Sequence, residues 1–174
     1  MLKEKVQSAL NNQISIEGYS SQLYLSMASW TEKNGYKGSS AFLYVHADEE
    51  RIHMLKLFHF INDRDGQAIV PALKQPPFEF ESIKAVFQGI LDHEKMVSES
   101  INNLVGICIE EKDFTTQNFL QWYVNEQIEE ENVARTNLDK LIMLGDDKAS
   151  MYLFDKDMAA LSTQGASTGK ATTT

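Results

Sequence analysis

The chain has 174 residues, 43% of them hydrophobic, and carries a net charge of −9. This length suits one domain with a sizeable core, and the acidic balance argues against a protein that coats nucleic acid. No apolar run is long enough to cross a bilayer, no secretory signal opens the sequence, and the single Cys108 fits a reducing compartment. We therefore expect a cytoplasmic protein with neither membrane nor nucleic-acid partners.

Four long helices are predicted, because apolar residues recur at helical spacing and no alternating strand pattern competes with them. The segment "NGYKG" separates the first two, and "EEKDF" forms a short turn between the third and the fourth. Gly145 follows the last helix at a typical C-cap position. The predicted helices run from about Lys3 to Glu32, Ser39 to Asp63, Ser82 to the "EEKDF" turn, and Thr115 to Leu144.

The connection between the second and third helices is long and contains all three prolines, in "RDGQAIVPALKQPPFEF". Some 16 extended residues span about 50 Å, whereas a helix of about 25 residues is roughly 38 Å long. The loop can therefore run the length of the helices, which makes the second and third parallel. The pattern predicts an all-α four-helix bundle with one long crossover.

A short fifth helix is predicted in "DDKASMYLFDKDMAALSTQ", where Met151, Phe154 and Met158 are apolar. A helix this short needs a partner surface to be stable. The domain is expected to cover residues 1–164, and the small, polar residues 165–174 are expected to form a flexible tail.

Each of the four long helices interrupts its apolar stripe once, near its middle, with a carboxylate. These residues are Glu17, Glu50, Glu94 and Glu130. Burying an unpaired carboxylate costs several kcal/mol, and no lysine or arginine recurs beside these positions on the inner stripes. A bound multivalent cation would compensate for this cost.

The spacing of the polar residues supports a metal site. Glu50 and His53 are separated by one helical step and project to the same side, and Gln127 and Glu130 repeat this spacing on the fourth helix. One carboxylate precedes each pair, so the pattern predicts pseudo-twofold ligation of two metal ions. A carboxylate-rich set with one imidazole and no thiolate suits iron or manganese better than structural zinc.

Other interpretations of the same residues remain open. A single Glu-x-x-His is common on a solvated helix face, and Glu129 to Glu131 is also compatible with a surface charge run. A dimetal oxygenase or peroxidase that acts on an organic substrate is one alternative function. A structural bundle whose carboxylates pair through water is another.

The chain resembles the bacterial non-haem ferritins from residue 1 to about residue 164. The stretches that carry the resemblance are "GYSSQLYLSMASW", "SAFLYVHADEERIHM", "NFLQWYVNEQIEEE" and "YLFDKDMAAL", of which the third is the most specific. The resemblance implies an iron-storage ferroxidase that oxidises Fe²⁺ with O₂ or H₂O₂ at a di-iron centre within each subunit. It also implies a hollow homo-oligomeric shell of 24 subunits that holds the ferric mineral.

The resemblance also implies roles for individual residues. One iron would be bound by Glu17, Glu50 and His53, and the other by Glu50, Glu94 and Glu130. Gln127 would lie beside the pair and complete the catalytic set together with Tyr24, although ordinary packing explains Tyr24 and its aromatic neighbour Trp122 equally well. The ligands implied for a third iron are Glu49, Glu126, Glu129 and Glu130.

Three further expectations concern haem, the fifth helix and His46. Bacterioferritins bind haem through a methionine directly after the glutamate of Glu-x-x-His, where this chain has Arg51, so we expect no haem. In ferritin shells the fifth helix packs around the fourfold axes, which would leave Met151, Phe154 and Met158 exposed on the isolated subunit. The alternative is that this helix folds back on its own bundle. His46 is expected to be a structural residue.

Overall fold

A computed structural model of the chain describes residues 2–145 and 147–168, with side chains described up to residue 163. The described residues form five helices and no strand. Each end of the four long helices lies within two residues of its predicted position. The helices are α1 (Glu4–Lys33), α2 (Lys37–Asp63), α3 (Ile83–Glu110), α4 (Phe114–Leu144) and α5 (Lys148–Thr168).

Local capping explains where several helices begin and end. The side chain of Ser82 accepts a hydrogen bond from the Ala85 amide at the start of α3, and Asp113 does the same for Thr116 at the start of α4. Gly145 ends α4 with a φ of 71°, which confirms the predicted C-cap. Asp113 lies at the short turn that makes α3 and α4 antiparallel, whereas Ser82 marks the end of the long crossover.

The crossover runs along α1, as its length predicts. The Asn11 side chain near the start of α1 binds the backbone of Gln67 and Ile69, at 3.0 and 2.8 Å. Further along the same helix, the Ser26 hydroxyl donates to the carbonyl oxygen of Pro77 at 2.6 Å. The loop therefore travels from one end of the bundle towards the other, and α3 starts parallel to α2.

The fifth helix packs on its own bundle. Phe154 and Met158 are fully buried in the core that the four long helices share, and the Phe154 ring meets Phe87 edge-on with ring centroids 5.2 Å apart. The expectation that both residues are exposed is therefore wrong, and Met151 is half-buried. The helix continues to Thr168, and the rest of the predicted tail lies outside the described residues.

The apolar core consists of two clusters. One contains Leu43, Phe87 and Phe154. The other contains Leu10 and Leu57 and lies nearer the opposite end of the bundle. A layer of buried polar side chains separates them, and this layer holds the residues that the stripe interruptions predict. No described helix is both long enough and apolar enough to cross a membrane.

Candidate metal centre

The four interrupting carboxylates are buried on four different helices. Their exposed fractions are 1% for Glu17, 2% for Glu50, 1% for Glu94 and 8% for Glu130. Within the part of the chain that the structure describes, no lysine or arginine forms an ion pair with any of them. Among the described residues, histidines are the only basic groups within ion-pair distance of them, so the layer fits a multivalent cation.

The first group of possible ligands consists of Glu17, Glu50 and His53. Each offers one ligand atom, and these atoms all lie within 4.8 Å of one another. The His53 Nδ1 atom lies 3.6 Å from Glu50 Oε2, and the Tyr123 hydroxyl donates to the His53 carbonyl oxygen at 2.8 Å. This group contains the residues predicted for one of the two irons.

Glu94 is held by two donors. The Tyr24 hydroxyl donates to its Oε1 atom at 2.7 Å, and the Gln127 amide donates to its Oε2 atom at 3.1 Å. Gln127 also donates to the Glu94 carbonyl oxygen at 3.2 Å. These bonds fix the orientation of a carboxylate that belongs to neither group of possible ligands among the described residues.

The second group consists of His46, Glu49 and Glu130. The His46 Nδ1 atom lies 3.0 Å from Glu49 Oε2 and 3.9 Å from Glu130 Oε2. His46 is expected from the sequence to be structural, but it lies at the same one-step spacing from Glu49 that singles out Glu50 and His53, and the structure places it among possible ligands. Among the described residues, Glu130 thus groups with His46 and Glu49, and its assignment to the second iron with Glu50 and Glu94 stays a prediction.

The residues predicted for a third iron share one cavity between α2 and α4. Glu126 and Glu129 line it together with Glu49, Glu130 and His46. Glu126 is half-buried and Glu129 is exposed, so the cavity connects the second group to the surface of the bundle.

Two aromatic residues contact the site. The Tyr24 ring stacks on the His46 ring with centroids 5.7 Å apart, in addition to its bond to Glu94. Trp122 meets the His53 ring edge-on at 5.2 Å, and the Lys56 Nζ atom lies 4.2 Å from the centroid of the indole. Both side chains therefore restrict the positions of possible ligands as well as filling space.

Burial and crowding of like charges shift the protonation of the carboxylates. Burial raises the pKa of Glu17 well above its ordinary value, and the charge of Glu50 raises it further. The pKa of Glu50 is also raised well above normal, by burial first and then by Glu94 and Glu130. Burial raises the pKa of Glu130 to about 7, although His46 opposes the shift. Metal-free, the layer therefore retains protons that a bound cation would displace.

His46 and Tyr24 respond to the same negative environment. Burial lowers the pKa of His46, but the hydrogen bond to Glu49 and the charge of Glu130 outweigh it, so the net shift is upward. Burial and the charge of Glu94 raise the pKa of Tyr24 well above its ordinary value, which keeps its hydroxyl protonated as a donor.

Comparison with known proteins identifies the family. The family model of the ferritin-like domain matches residues 7–144. The chain belongs to the ferritin family. The predicted family is therefore confirmed, and with it the predicted fold and the predicted function of iron storage with ferroxidase activity.

Individual ferritins are similar over nearly the whole chain. A probable bacterial non-haem ferritin-like protein of Haemophilus influenzae is 46% identical over 94% of this chain and 99% of its own length. The bacterial non-haem ferritin of Campylobacter jejuni is 42% identical over 90% of this chain and 93% of its own. The open-pore ferritin of Archaeoglobus fulgidus superimposes with a TM-score of 0.90 at 43% identity, over 91% of this chain and 98% of that one.

Proposed function

We propose that the buried polar layer is a di-iron ferroxidase centre within each subunit. The observation that carries this proposal is the group formed by Glu17, Glu50 and His53, whose ligand atoms lie within 4.8 Å of one another without a lysine or arginine counter-charge among the described residues. Glu17, Glu50 and His53 bind one Fe²⁺ substrate ion. Glu50, Glu94 and Glu130 bind the other, with Glu50 shared between the two.

The ligands favour the oxidised product. Carboxylates stabilise Fe³⁺ more strongly than Fe²⁺, because the attraction grows with the charge of the ion. Two Fe²⁺ ions supply two electrons, the number that reduces O₂ to hydrogen peroxide or H₂O₂ to water. Tyr24 and Gln127 hold Glu94 in place, so the second ion enters a partly oriented site.

A third iron position is proposed in the cavity between α2 and α4. Glu49, Glu126, Glu129 and Glu130 provide its carboxylates, and Glu130 belongs to both positions. The second group adds the imidazole of His46. Metal-soaked crystals test this position, and an absence of metal density between Glu49 and Glu129 would contradict it.

The storage function requires an assembly. We propose a cytoplasmic shell of 24 identical subunits, with the ferric mineral inside it. Exposed apolar side chains supply surface for the contacts between subunits, and they are Ile69, Val70, Phe78, Tyr152 and Leu153. Particle sizing tests this proposal, because a particle of monomer or dimer mass would favour a di-iron oxygenase or peroxidase instead.

A ferroxidase assay with a double variant tests the centre. Glu50→Ala with His53→Ala removes the shared carboxylate and the imidazole, and we expect the initial rate of aerobic Fe²⁺ oxidation to fall at least 10-fold. Glu4→Ala with His59→Ala is the matched control, because both of those side chains are exposed. Equal oxidation rates in the double variant and the parent would overturn the assignment.

A further inference from the structure

Gln13 lies in the buried polar layer but is not one of the predicted ligands. It is 1% exposed, and its Nε2 atom donates to Glu17 Oε1 at 2.9 Å. Gln13 precedes Glu17 by one turn of α1, so both side chains lie on the inner face of the helix. A buried amide is costly unless its polar atoms are paired, and here one of them is paired with a proposed iron ligand.

The oxygen atom of the Gln13 amide also has a hydrogen-bond partner. Ser100 of α3 donates from its Oγ atom to Gln13 Oε1 at 2.7 Å. A carboxylate that has lost its proton to a bound cation can only accept hydrogen bonds, and Gln13 presents its NH₂ group to Glu17 and its oxygen to Ser100, as such a carboxylate requires. The donors thus run in one direction, from Ser100 through Gln13 to Glu17.

Another buried glutamine holds a carboxylate on the other side of the layer, although there the serine accepts from the amide instead of donating to it. Gln127 donates to Glu94 Oε2 at 3.1 Å, and its amide nitrogen also lies 3.4 Å from Ser98 Oγ. Ser98 in turn donates to Glu131 Oε1 at 2.6 Å. Glu17 and Glu94 are therefore each held by a buried glutamine, and each glutamine contacts a serine of α3. Gln13 belongs to the same helix as its carboxylate, whereas Gln127 reaches Glu94 from α4.

We propose that Gln13 is a positioning residue for Glu17, and that Ser100 sets the orientation of its amide. The hydrogen bond to Oε1 leaves the second oxygen of Glu17 for a metal ion held with Glu50 and His53. Partners behind a ligand commonly change metal affinity 10- to 100-fold. This inference rests on the proposed di-iron centre.

Anaerobic titration with Co²⁺ tests the inference, because Co²⁺ binds without being oxidised and its visible absorption reports on its ligands. Gln13→Met keeps the length of the side chain and removes the donor. We expect it to weaken Co²⁺ binding about 10-fold and to change the absorption spectrum, while particle size and melting temperature stay at the parent values. Gln22→Met is the matched control, because Gln22 is exposed on the same helix.

Ser100 provides a second, independent pair of variants. Ser100→Ala removes the hydroxyl and should weaken Co²⁺ binding several-fold. Ser100→Thr keeps a hydroxyl and should bind Co²⁺ with the affinity of the parent. Because Ser100 is half-buried, its substitution should leave folding and assembly intact. These variants therefore test the role of Gln13 even if Gln13→Met does not assemble.

The outcomes separate the two proposals. Parent affinity and spectrum in both Gln13→Met and Ser100→Ala would overturn the role of Gln13 and leave the di-iron centre standing. If the parent binds no Co²⁺, or if Glu50→Ala binds it as the parent does, the centre itself is overturned and this inference falls with it.

Discussion

The Tyr24 hydroxyl lies 2.7 Å from Glu94 Oε1 and joins α1 to α3 across the polar layer. Gln127 occupies the other oxygen of Glu94 from α4. Three helices thus set the orientation of one carboxylate, which reduces the reorganisation needed when a metal ion binds.

Removal of the Tyr24 hydroxyl should slow iron oxidation without changing the assembly. Tyr24→Phe keeps the ring that stacks on His46 and deletes the donor to Glu94. A hydrogen bond to a charged group contributes about 1.5–3 kcal/mol, so we expect the initial rate of Fe²⁺ oxidation to fall roughly 10-fold. Stopped-flow absorbance measures this rate, and Tyr44→Phe is the control at an exposed tyrosine. An unchanged rate in Tyr24→Phe would show that Glu94 does not depend on this bond.

The metal-free protein should lose stability as the pH rises. The pKa of Glu130 is raised from 4.5 to about 7, so folding favours its protonated form. This contribution is complete below pH 4.5 and disappears as the pH rises through about 7, and it is on the order of 3 kcal/mol. The raised pKa values of Glu17, Glu50 and His46 act in the same direction.

Thermal unfolding of the metal-free protein at pH 6 and pH 8 checks this dependence. We expect a lower melting temperature at pH 8, and Co²⁺ should restore it because the cation compensates for the ionised carboxylates. Glu130→Gln should reduce the difference between the two pH values, whereas Glu99→Gln at an exposed position should not. A melting temperature that rises from pH 6 to pH 8 in the absence of metal would contradict the assignment.

Asp155 of α5 should stabilise the start of α2. Its carboxylate accepts hydrogen bonds from the Gly38 and Ser39 amides at 2.9 and 2.7 Å, and α2 has no cap from its own N-cap residue. We expect Asp155→Ala to lower the free energy of unfolding by about 1–2 kcal/mol. Urea unfolding measures the change, with Asp157→Ala as the exposed control on the same helix. Equal losses in both variants would argue against a capping role.

Gly38 should be intolerant of any side chain. A Cβ atom at this position would lie 1.8 Å from the carbonyl oxygen of Asp155, so Gly38→Ala forces α5 away from α2. We expect protease cleavage within α5 to accelerate, because its buried Phe154 and Met158 would become exposed. Gly106 of α3 has open space around its Cβ position, and Gly106→Ala should instead stabilise the helix by about 0.5–1 kcal/mol. Cleavage of Gly38→Ala at the parent rate would refute the close packing.

Much of the candidate centre was predictable because it depends on helical periodicity. Glu17, Glu50, Glu94 and Glu130 interrupt apolar stripes, and a stripe position determines which face of a helix a residue occupies. The same periodicity predicts the burial of Gln127. Helix bounds and the path of the crossover follow equally from local signals, namely caps, prolines and loop length.

Other features depend on distances between helices, which periodicity does not contain. The pairing of Ser100 with Gln13, and the position of His46 between Glu49 and Glu130, require the side-chain rotamers and the crossing geometry of neighbouring helices. The docking of α5 is similar, since its apolar pattern is compatible with contacts to another subunit or to its own bundle. The close approach of Gly38 to Asp155 shows that α5 packs on its own bundle.

The sequence by itself thus determined the helices, their order and the polar layer that interrupts the core, because each follows from spacing along one chain. Only the tertiary structure decided which polar atoms meet inside that layer. A hydrogen bond depends on differences of tenths of an ångström between side chains of different helices, and these differences arise only when the helices pack.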